Sequence, residues 1–198
     1  MPLVGKDFAY PEIESALSLD FSADRFVSIS FIDNTGERSS WSDELKAFGE
    51  DPGNFPADSW PPYVRQPGWD PKKLLGNGHL VYGSLVRPKS HMIWWPFEGM
   101  APNDDPKVFL HSPGWDFAGV VEYIHGLYLN LKEPATVYYV HCMLGADRTG
   151  ALHAGLLIRS GVDVEEALKI VASATPAGAP NSDYLRLVRA YAASRVVE

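Results

Sequence analysis

The chain has little of several features that would place it in particular classes of protein. It contains one cysteine, Cys142, among 198 residues, so no disulfide is expected within it. It has no apolar run of roughly 18 residues, the length that a membrane-spanning helix needs. Its first residues lack the basic start and apolar core of a signal peptide. These absences lead us to expect a cytoplasmic protein with no membrane insertion.

Basic residues are also scarce. The chain has 17 Lys and Arg against 25 Asp and Glu, a formal net charge of −8. Its longest basic run is the pair Lys72 and Lys73. Nucleic acids and anionic membranes are bound by clustered basic side chains, so we expect neither as a partner. The six histidines show no i,i+4 pairing, which predicts that the protein has no metal site.

What the sequence does contain is the composition of a folded protein. Apolar residues make up 45% of the chain, with 17 Gly and 16 Pro, and this favours a folded over a disordered protein. A length of 198 residues suits one domain. We therefore predict a single domain over residues 1–198, with N-terminal elements of unassigned type in residues 1–90 and a catalytic core in residues 91–198.

The first half of the chain has a mostly irregular pattern. Strands are predicted in RFVSISFID (Arg25–Asp33), HLVYGSLV (His79–Val86) and HMIWW (His91–Trp95). A short helix is predicted in SSWSDELKAF (Ser39–Phe48). Residues 49–71 are rich in Pro, Gly and Trp, and we expect them to pack over the rest of the protein. We expect four tryptophans to serve mainly in packing: Trp60, Trp69, Trp94 and Trp95.

From about residue 110 onward, helices and strands alternate as in α/β proteins. An apolar stripe from Phe117 to Tyr128 predicts a helix that starts at Ser112 or Asp116. The β-branched and aromatic run Thr136–Val140 predicts a central buried strand. Three more helices are predicted: from Arg148 to Gly161, from the pair Asp163 and Glu166, and from Asn181 or Ser182. In the last helix, the residues that share one face are Tyr184, Leu187, Val188 and Tyr191.

The stretch VYYVHCMLGADRTG (Val137–Gly150) places the only cysteine between the predicted strand and the predicted helix. In this order the loop can curl so that its backbone N–H groups point inward and form an anion site. The helix adds its unpaired N–H groups and the positive end of its dipole. Gly145 permits a backbone geometry that a Cβ would resist, and Arg148 adds a planar charged fork. The predicted substrate-binding residues are Met143, Leu144, Gly145, Ala146, Asp147 and Arg148.

The same positive field acts on the cysteine sulfur. A thiol at a helix N-terminus beside an arginine ionises more readily than a free thiol, so Cys142 is expected to be a thiolate at neutral pH. A thiolate at the floor of a phosphate site is placed to attack phosphorus and form a phosphocysteine. Arg148 and the loop amides would then stabilise the equatorial oxygens. Thr149 is expected to donate a hydrogen bond to the sulfur and ease its departure.

A family resemblance accompanies this chemistry. HCMLGADRTG resembles the His-Cys-x5-Arg-Thr/Ser-Gly signature of the protein tyrosine and dual-specificity phosphatase superfamily. Residues 161–191 resemble the two C-terminal helices of the dual-specificity phosphatases. The resemblance implies an α/β fold with a central mixed sheet flanked by helices, no metal or other cofactor, and hydrolysis of a phosphomonoester through phosphocysteine. Such a site would also hold phosphate, sulfate or vanadate.

The leaving alcohol needs a proton from a carboxyl group on a loop that reaches over the phosphate. In the resembled superfamily this group is an Asp on the loop before the helix that precedes the Cys strand. Phe97 stands where the Trp-Pro-Asp loop of tyrosine phosphatases has its Asp. We prefer Asp105, because its offset from the Ser112 helix start is close to that of the family. The other carboxylates on offer are Asp104, which ranks second, and then Glu98 and Asp116.

The substrate class rests on the loop residues. Asp147 gives a Cys-x4-Asp-Arg-Thr pattern that resembles both bacterial tyrosine phosphatases of broad specificity and phosphoinositide phosphatases. The loop lacks the Lys that many lipid-directed members carry, so we place phosphotyrosine, phosphoserine and phosphothreonine proteins ahead of phosphoinositides, inositol phosphates and small phosphate esters. A catalytically weak pseudophosphatase that binds phosphorylated partners is the remaining alternative, and the residues that distinguish it lie at 97–105.

Overall fold

Four strands form one mixed sheet in the computed structural model, which describes residues 25–32, 43, 81–83, 90–95, 100–111, 116–129, 136–174 and 178–195. The strands are β1 (Arg25–Ser30), β2 (Val81–Gly83), β3 (Ser90–Trp94) and β4 (Thr136–His141). Their order across the sheet is β2-β3-β1-β4. β1 runs parallel to β3 and to β4, and β2 runs antiparallel to β3. Together with the helices this sheet makes the fold α/β, as expected.

The strand predictions are confirmed with shifts at their ends. β1 begins at Arg25 as predicted but ends at Ser30. Its backbone stays beside β4 for one residue more, because the Phe31 N–H donates to the His141 carbonyl at 3.0 Å. β3 covers one residue before the predicted HMIWW run and stops at Trp94. The parallel strands β1 and β4 therefore end side by side, and Cys142 directly follows the end of β4.

Five helices are present in the described ranges, four of them predicted. They are α1 (Pro106–His111), α2 (Phe117–Tyr128), α3 (Arg148–Arg159), α4 (Val164–Ala174) and α5 (Ser182–Arg195). The short helix α1 was not predicted, and it occupies the loop in which we sought the general acid. Within the described ranges, no helix is both long and apolar enough to cross a bilayer.

Capping residues set several helix ends. The open choice for α2 is resolved in favour of Asp116, whose Oδ1 accepts the Gly119 N–H at 3.1 Å. Asp163 opens α4, and its Oδ1 accepts the Glu165 N–H at 2.9 Å. Asn181 opens α5 in the same way, with its Oδ1 bonded to the Asp183 N–H at 3.0 Å. Gly161 follows α3 with φ +96°, a conformation that suits glycine at a helix end.

One hydrophobic core joins the sheet to the helices. The sheet contributes Ile29 and Val140, and Phe31 and Trp95 extend it beyond the strand ends. The fully buried helix residues include Val120, Val121, Ile124, Ala151, Ala154, Leu187 and Val188. Tyr184, Leu187, Val188 and Tyr191 all face this core from α5, as the sequence pattern predicts. Trp95 is fully buried with its ring edge-to-face on Tyr123, 5.8 Å between centroids, so its role is packing.

Some predictions fall outside the described residues. They concern the helix of residues 39–48, apart from Asp43, the segment of residues 49–71, the ends of the predicted strand at residues 79–80 and 84–86, and residues 97 and 98.

Candidate active site

Cys142 lies where β4 gives way to a loop. It follows His141, the last residue of the strand, and only 6% of its surface is exposed. The loop of residues 142–148, which we call the Cys loop, returns the chain to α3, and α3 begins at Arg148. The predicted order of strand, loop and helix is therefore present. In α/β sheets, ligands bind at the carboxyl ends of strands, and this is the end at which Cys142 lies.

Glycine is needed at two points of this segment for different reasons. Gly145 has φ +78°, a conformation that residues with a Cβ rarely adopt. Such a turn in a short loop brings successive backbone N–H groups toward one side. Gly150 lies inside α3, and a Cβ there would come within 2.9 Å of the Pro180 side chain. The Gly of the Arg-Thr-Gly motif therefore permits close packing of α3 against the segment that leads into α5.

Arg148 is anchored to the end of the neighbouring strand. Its Nη1 donates to the Phe31 carbonyl at 2.8 Å, although the two residues are 117 positions apart in the chain. A guanidinium has five N–H donors in a rigid planar fork, so this bond to a carbonyl uses one of them and helps to fix the orientation of the fork. β1 thus helps to orient the one arginine of the Cys loop.

A side-chain hydrogen bond also joins β1 to β4, at the residue just before Cys142. Ser28 Oγ and His141 Nε2 share a buried hydrogen bond of 3.0 Å, and the His141 ring stacks on Tyr139 with 5.0 Å between centroids. These contacts fix the imidazole inside the sheet. They give this histidine a structural role.

Asp147 connects the Cys loop to the last helix. It occupies the N-cap position of α3 but makes no side-chain capping bond there. Its Oδ1 instead accepts the Asn181 N–H at 2.8 Å. The side chain of Asp147 therefore holds the beginning of α5 beside the Cys loop.

Thr149 is buried beside these residues in the chain. Its side chain is 5% exposed, and its Oγ1 has no hydrogen-bond partner among the described residues. A buried hydroxyl without a partner costs free energy. The predicted bond to the Cys142 sulfur is therefore not made in this conformation, and the hydroxyl is available to a group that enters the site.

The preferred acids lie in a turn ahead of α1. We call residues 100–105 the acidic turn. Asp104 is half-buried, and its Oδ2 accepts the Ala101 N–H at 2.7 Å. Asp105 is exposed, and its Oδ1 accepts the Lys107 N–H at 3.0 Å, which places it at the start of α1. In this conformation Asp104 therefore stabilises the acidic turn, and Asp105 stabilises the start of α1.

The offset that favoured Asp105 needs correction. It was counted from a helix start at Ser112, whereas the helix before the Cys strand begins at Phe117 after its cap Asp116. Asp105 is therefore further from that helix than expected, and α1 fills part of the interval. Asp116 is engaged by its capping bond and lies 3.9 Å from the His111 imidazole, which disfavours it as the acid.

A tyrosine that the sequence analysis assigned only to the core lies close to both parts of the site. Burial raises the pKa of the Tyr184 hydroxyl to about 12, against the lowering effects of the Arg148 charge and of a hydrogen bond with the Met100 backbone. Asp147 and Cys142 also raise this pKa. The Tyr184 N–H donates to the Asn181 side chain at 3.4 Å, and the Asn181 N–H donates to Asp147, so Tyr184 lies near the Cys loop. A Tyr on an otherwise apolar helix face was the available signal.

Comparisons with known proteins do not identify a family for this chain. No protein-family model matches the chain, and no curated protein matches it. Among the described residues, no group of three His, Cys, Asp or Glu side chains could hold a metal ion.

Proposed function

We propose that this protein is a cysteine-dependent phosphatase that hydrolyses phosphomonoesters through a phosphocysteine intermediate. The observation that carries the proposal is the passage from β4 through the buried Cys142 to α3. There a positive-φ glycine bends the loop, and Arg148 is oriented by the end of a second strand. The mixed α/β sheet is compatible with the dual-specificity phosphatase architecture that the signature resembles.

The proposed reaction has two steps. The Cys142 thiolate attacks phosphorus, so that an S–P bond forms while the P–O bond to the leaving alcohol breaks. The alcohol oxygen takes a proton from Asp105 or Asp104. Water then attacks the phosphocysteine, the S–P bond breaks, and the same carboxylate takes a proton from the water. Arg148 and the Cys-loop amides stabilise the charge on the equatorial oxygens in both steps, and Thr149 donates to the departing sulfur.

The loop surface favours phosphorylated protein side chains as substrates. Leu144 is 69% exposed, and Met143 is half-buried beside it in the chain. The Cys loop contains no Lys that would attract further phosphate groups. The chain also carries a net charge of −8, which disfavours highly charged inositol phosphates and anionic membrane surfaces.

A pseudophosphatase that binds phosphorylated partners is the second candidate function. It is favoured by the hydrogen bonds of Asp104 and Asp105 within their own turn, since neither carboxylate is presented to the Cys loop by a bond across the site. Under this alternative the Cys loop would still bind phosphate.

The decisive experiment replaces the nucleophile with its closest isostere. Cys142→Ser should lower turnover of p-nitrophenyl phosphate by on the order of 10³-fold or more, while its melting temperature stays near that of the wild type. An acid-quenched wild-type reaction should carry phosphate on Cys142, which peptide mass spectrometry would locate. The proposal is wrong if Cys142→Ser keeps its turnover, or if turnover requires a metal ion in chelator-controlled assays.

A substrate panel separates the remaining alternatives. Phosphotyrosine and phosphothreonine peptides, phosphoinositides and inositol phosphates would be assayed side by side with the wild type and Cys142→Ser. We expect the phosphopeptides to be the better substrates. Vanadate binding without turnover of any member of the panel would favour the pseudophosphatase.

A further inference from the structure

The backbone between the two candidate acids is bonded to α5. The Asp104 carbonyl belongs to the peptide group that joins Asp104 to Asp105, and it accepts a hydrogen bond from Arg186 Nη2 at 3.1 Å. Arg186 lies 82 positions further along the chain. The Cα atoms of both aspartates lie in the plane of this peptide group, so the bond constrains the backbone from which each carboxylate projects.

Hydrogen bonds within the segment give the acidic turn its shape. The Asp104 N–H donates to the Ala101 carbonyl at 3.0 Å, and the Asp105 carbonyl accepts the Val108 N–H at 3.0 Å. The two carboxylates bond the N–H groups of Ala101 and Lys107. All of these partners lie within four residues of each other, so these bonds do not set the position of the turn relative to the rest of the protein.

Arg186 is itself held on its own helix. Its Nη2 lies 3.4 Å from the Asp183 carboxylate, three residues earlier on α5, and the Asp183 side chain is 13% exposed. A guanidinium that is already paired loses less rotamer freedom when it also bonds a carbonyl. The bond to Asp104 is partly buried, and a hydrogen bond is stronger where water is partly excluded.

The start of α5 is tied to the Cys loop in turn. The Asn181 N–H donates to Asp147 at 2.8 Å, and Asn181 Oδ1 accepts the Asp183 N–H at 3.0 Å. The Pro180 side chain would lie within 2.9 Å of a Cβ at Gly150, so α3 packs closely against the chain that enters α5. The start of α5 therefore connects the two segments that the proposed reaction requires side by side.

We infer that Arg186 is a positioning residue of the proposed phosphatase, and that its bond to the Asp104 carbonyl holds the acidic turn in place relative to α5 and the Cys loop. This inference rests on the proposed function. It applies whichever carboxylate is the acid, because Asp104 and Asp105 share the peptide group that is bonded. Arg186 bonds a backbone atom, so it acts on the proton donor through its position.

The chain offers a matched control on the same helix. Arg189 also lies on α5, and its guanidinium makes two hydrogen bonds with the Glu165 carboxylate, at 2.9 and 3.1 Å. Glu165 belongs to α4, so this pair is outside both the Cys loop and the acidic turn. Arg189→Met removes the same charge and the same donors from the same helix, and methionine is a good helix former. It leaves the bond between Arg186 and Asp104 intact.

The experiment compares Arg186→Met, Arg189→Met and the wild type with two leaving groups. For phenyl phosphate, a poor leaving group that needs the acid, Arg186→Met should lower kcat about five-fold, the loss expected for one hydrogen bond. For 2,4-dinitrophenyl phosphate, which leaves without protonation, kcat should stay within about two-fold. Arg189→Met should match the wild type with both esters. Hydrogen exchange of the amides in residues 101–108 should be faster in Arg186→Met only.

Three results would overturn the inference. These are equal losses with both leaving groups, no loss with either, and the same changes in Arg189→Met. A wild type that hydrolyses none of these esters would instead overturn the proposed function. In that case the exchange measurement still decides whether Arg186 holds the acidic turn, because faster exchange in Arg186→Met alone supports the contact and unchanged exchange rejects it.

Discussion

The Cys loop and the acidic turn differ in the contacts that hold them in place. The loop is held from outside itself: Arg148 is bonded to the end of β1, Asp147 to the start of α5, and Gly150 packs on Pro180. The acidic turn is mostly exposed, and its two carboxylates bond the neighbouring backbone N–H groups of Ala101 and Lys107. A distant side chain, Arg186, bonds only the Asp104 carbonyl. Under the proposed function, this difference gives a phosphate site that is held by distant parts of the chain and a proton donor that is held mainly by neighbouring residues. Substitutions in the two regions should therefore have different kinetic signatures.

The largest effect is expected in the Cys loop. Arg148→Lys keeps the charge but loses the planar fork and its bond to Phe31, so kcat/KM should fall by about 10²- to 10³-fold for every phosphate ester. Arg159→Lys, at the other end of α3 and paired with Glu122, is the matched control and should keep its activity. Equal activities of the two variants would show that Arg148 does not hold the phosphate.

A smaller and more selective effect is expected in the acidic turn. Asp105→Asn should lower kcat for poor leaving groups by about 10²-fold, spare activated esters, and flatten the alkaline limb of the pH–rate profile, since the acid must be protonated to act. Asp104→Asn is the comparison, because it lies next in the chain and is tied to Arg186 through its carbonyl only. If Asp104→Asn alone has this signature, the acid is Asp104. If neither variant has it, the acid lies elsewhere, and Glu98 is the next carboxylate to replace.

The smallest effect concerns stability at high pH and tests the burial of the Tyr184 hydroxyl, the main cause of its raised pKa. The folded pKa of Tyr184 is about 12 against a reference value of 10.0, so the unfolded chain loses this proton first as pH rises. Stability that is fully present below pH 10 is then lost toward pH 12. Between pH 9 and pH 11 the wild type should lose about 1 kcal/mol more than Tyr184→Phe. Urea unfolding at both pH values would measure the difference, and parallel losses would contradict it.

Local sequence signals were sufficient for the elements between residues 136 and 195. The helices α3, α4 and α5 begin at or within a residue of their predicted starts, because Asp163 and Asn181 are caps whose hydrogen bonds involve only neighbouring residues. The strand β4 and the glycine-bent Cys loop follow from residue types at fixed spacing. Such features depend on contacts within a few positions, which a sequence displays directly.

Features that depend on distant contacts were not predictable. Nothing in the run around Arg25 indicates that its strand lies between β3 and β4. The pairing of Asp147 with Asn181 and the contact of Tyr184 with Met100 require the packing of α5, which periodicity alone does not supply. The helix α1 was not predicted, because its six residues are too few to show an apolar stripe.

The hydrogen bond between Ser28 and His141 joins positions 113 residues apart, and this has a consequence for how the protein folds. β1 is synthesised long before its neighbour β4, so the centre of the sheet must wait for most of the chain. Pairing over such separations has a high contact order and slows folding. The proposed phosphate site is therefore among the late features to form, and a nascent chain that has not yet completed β4 exposes a central strand without its partner.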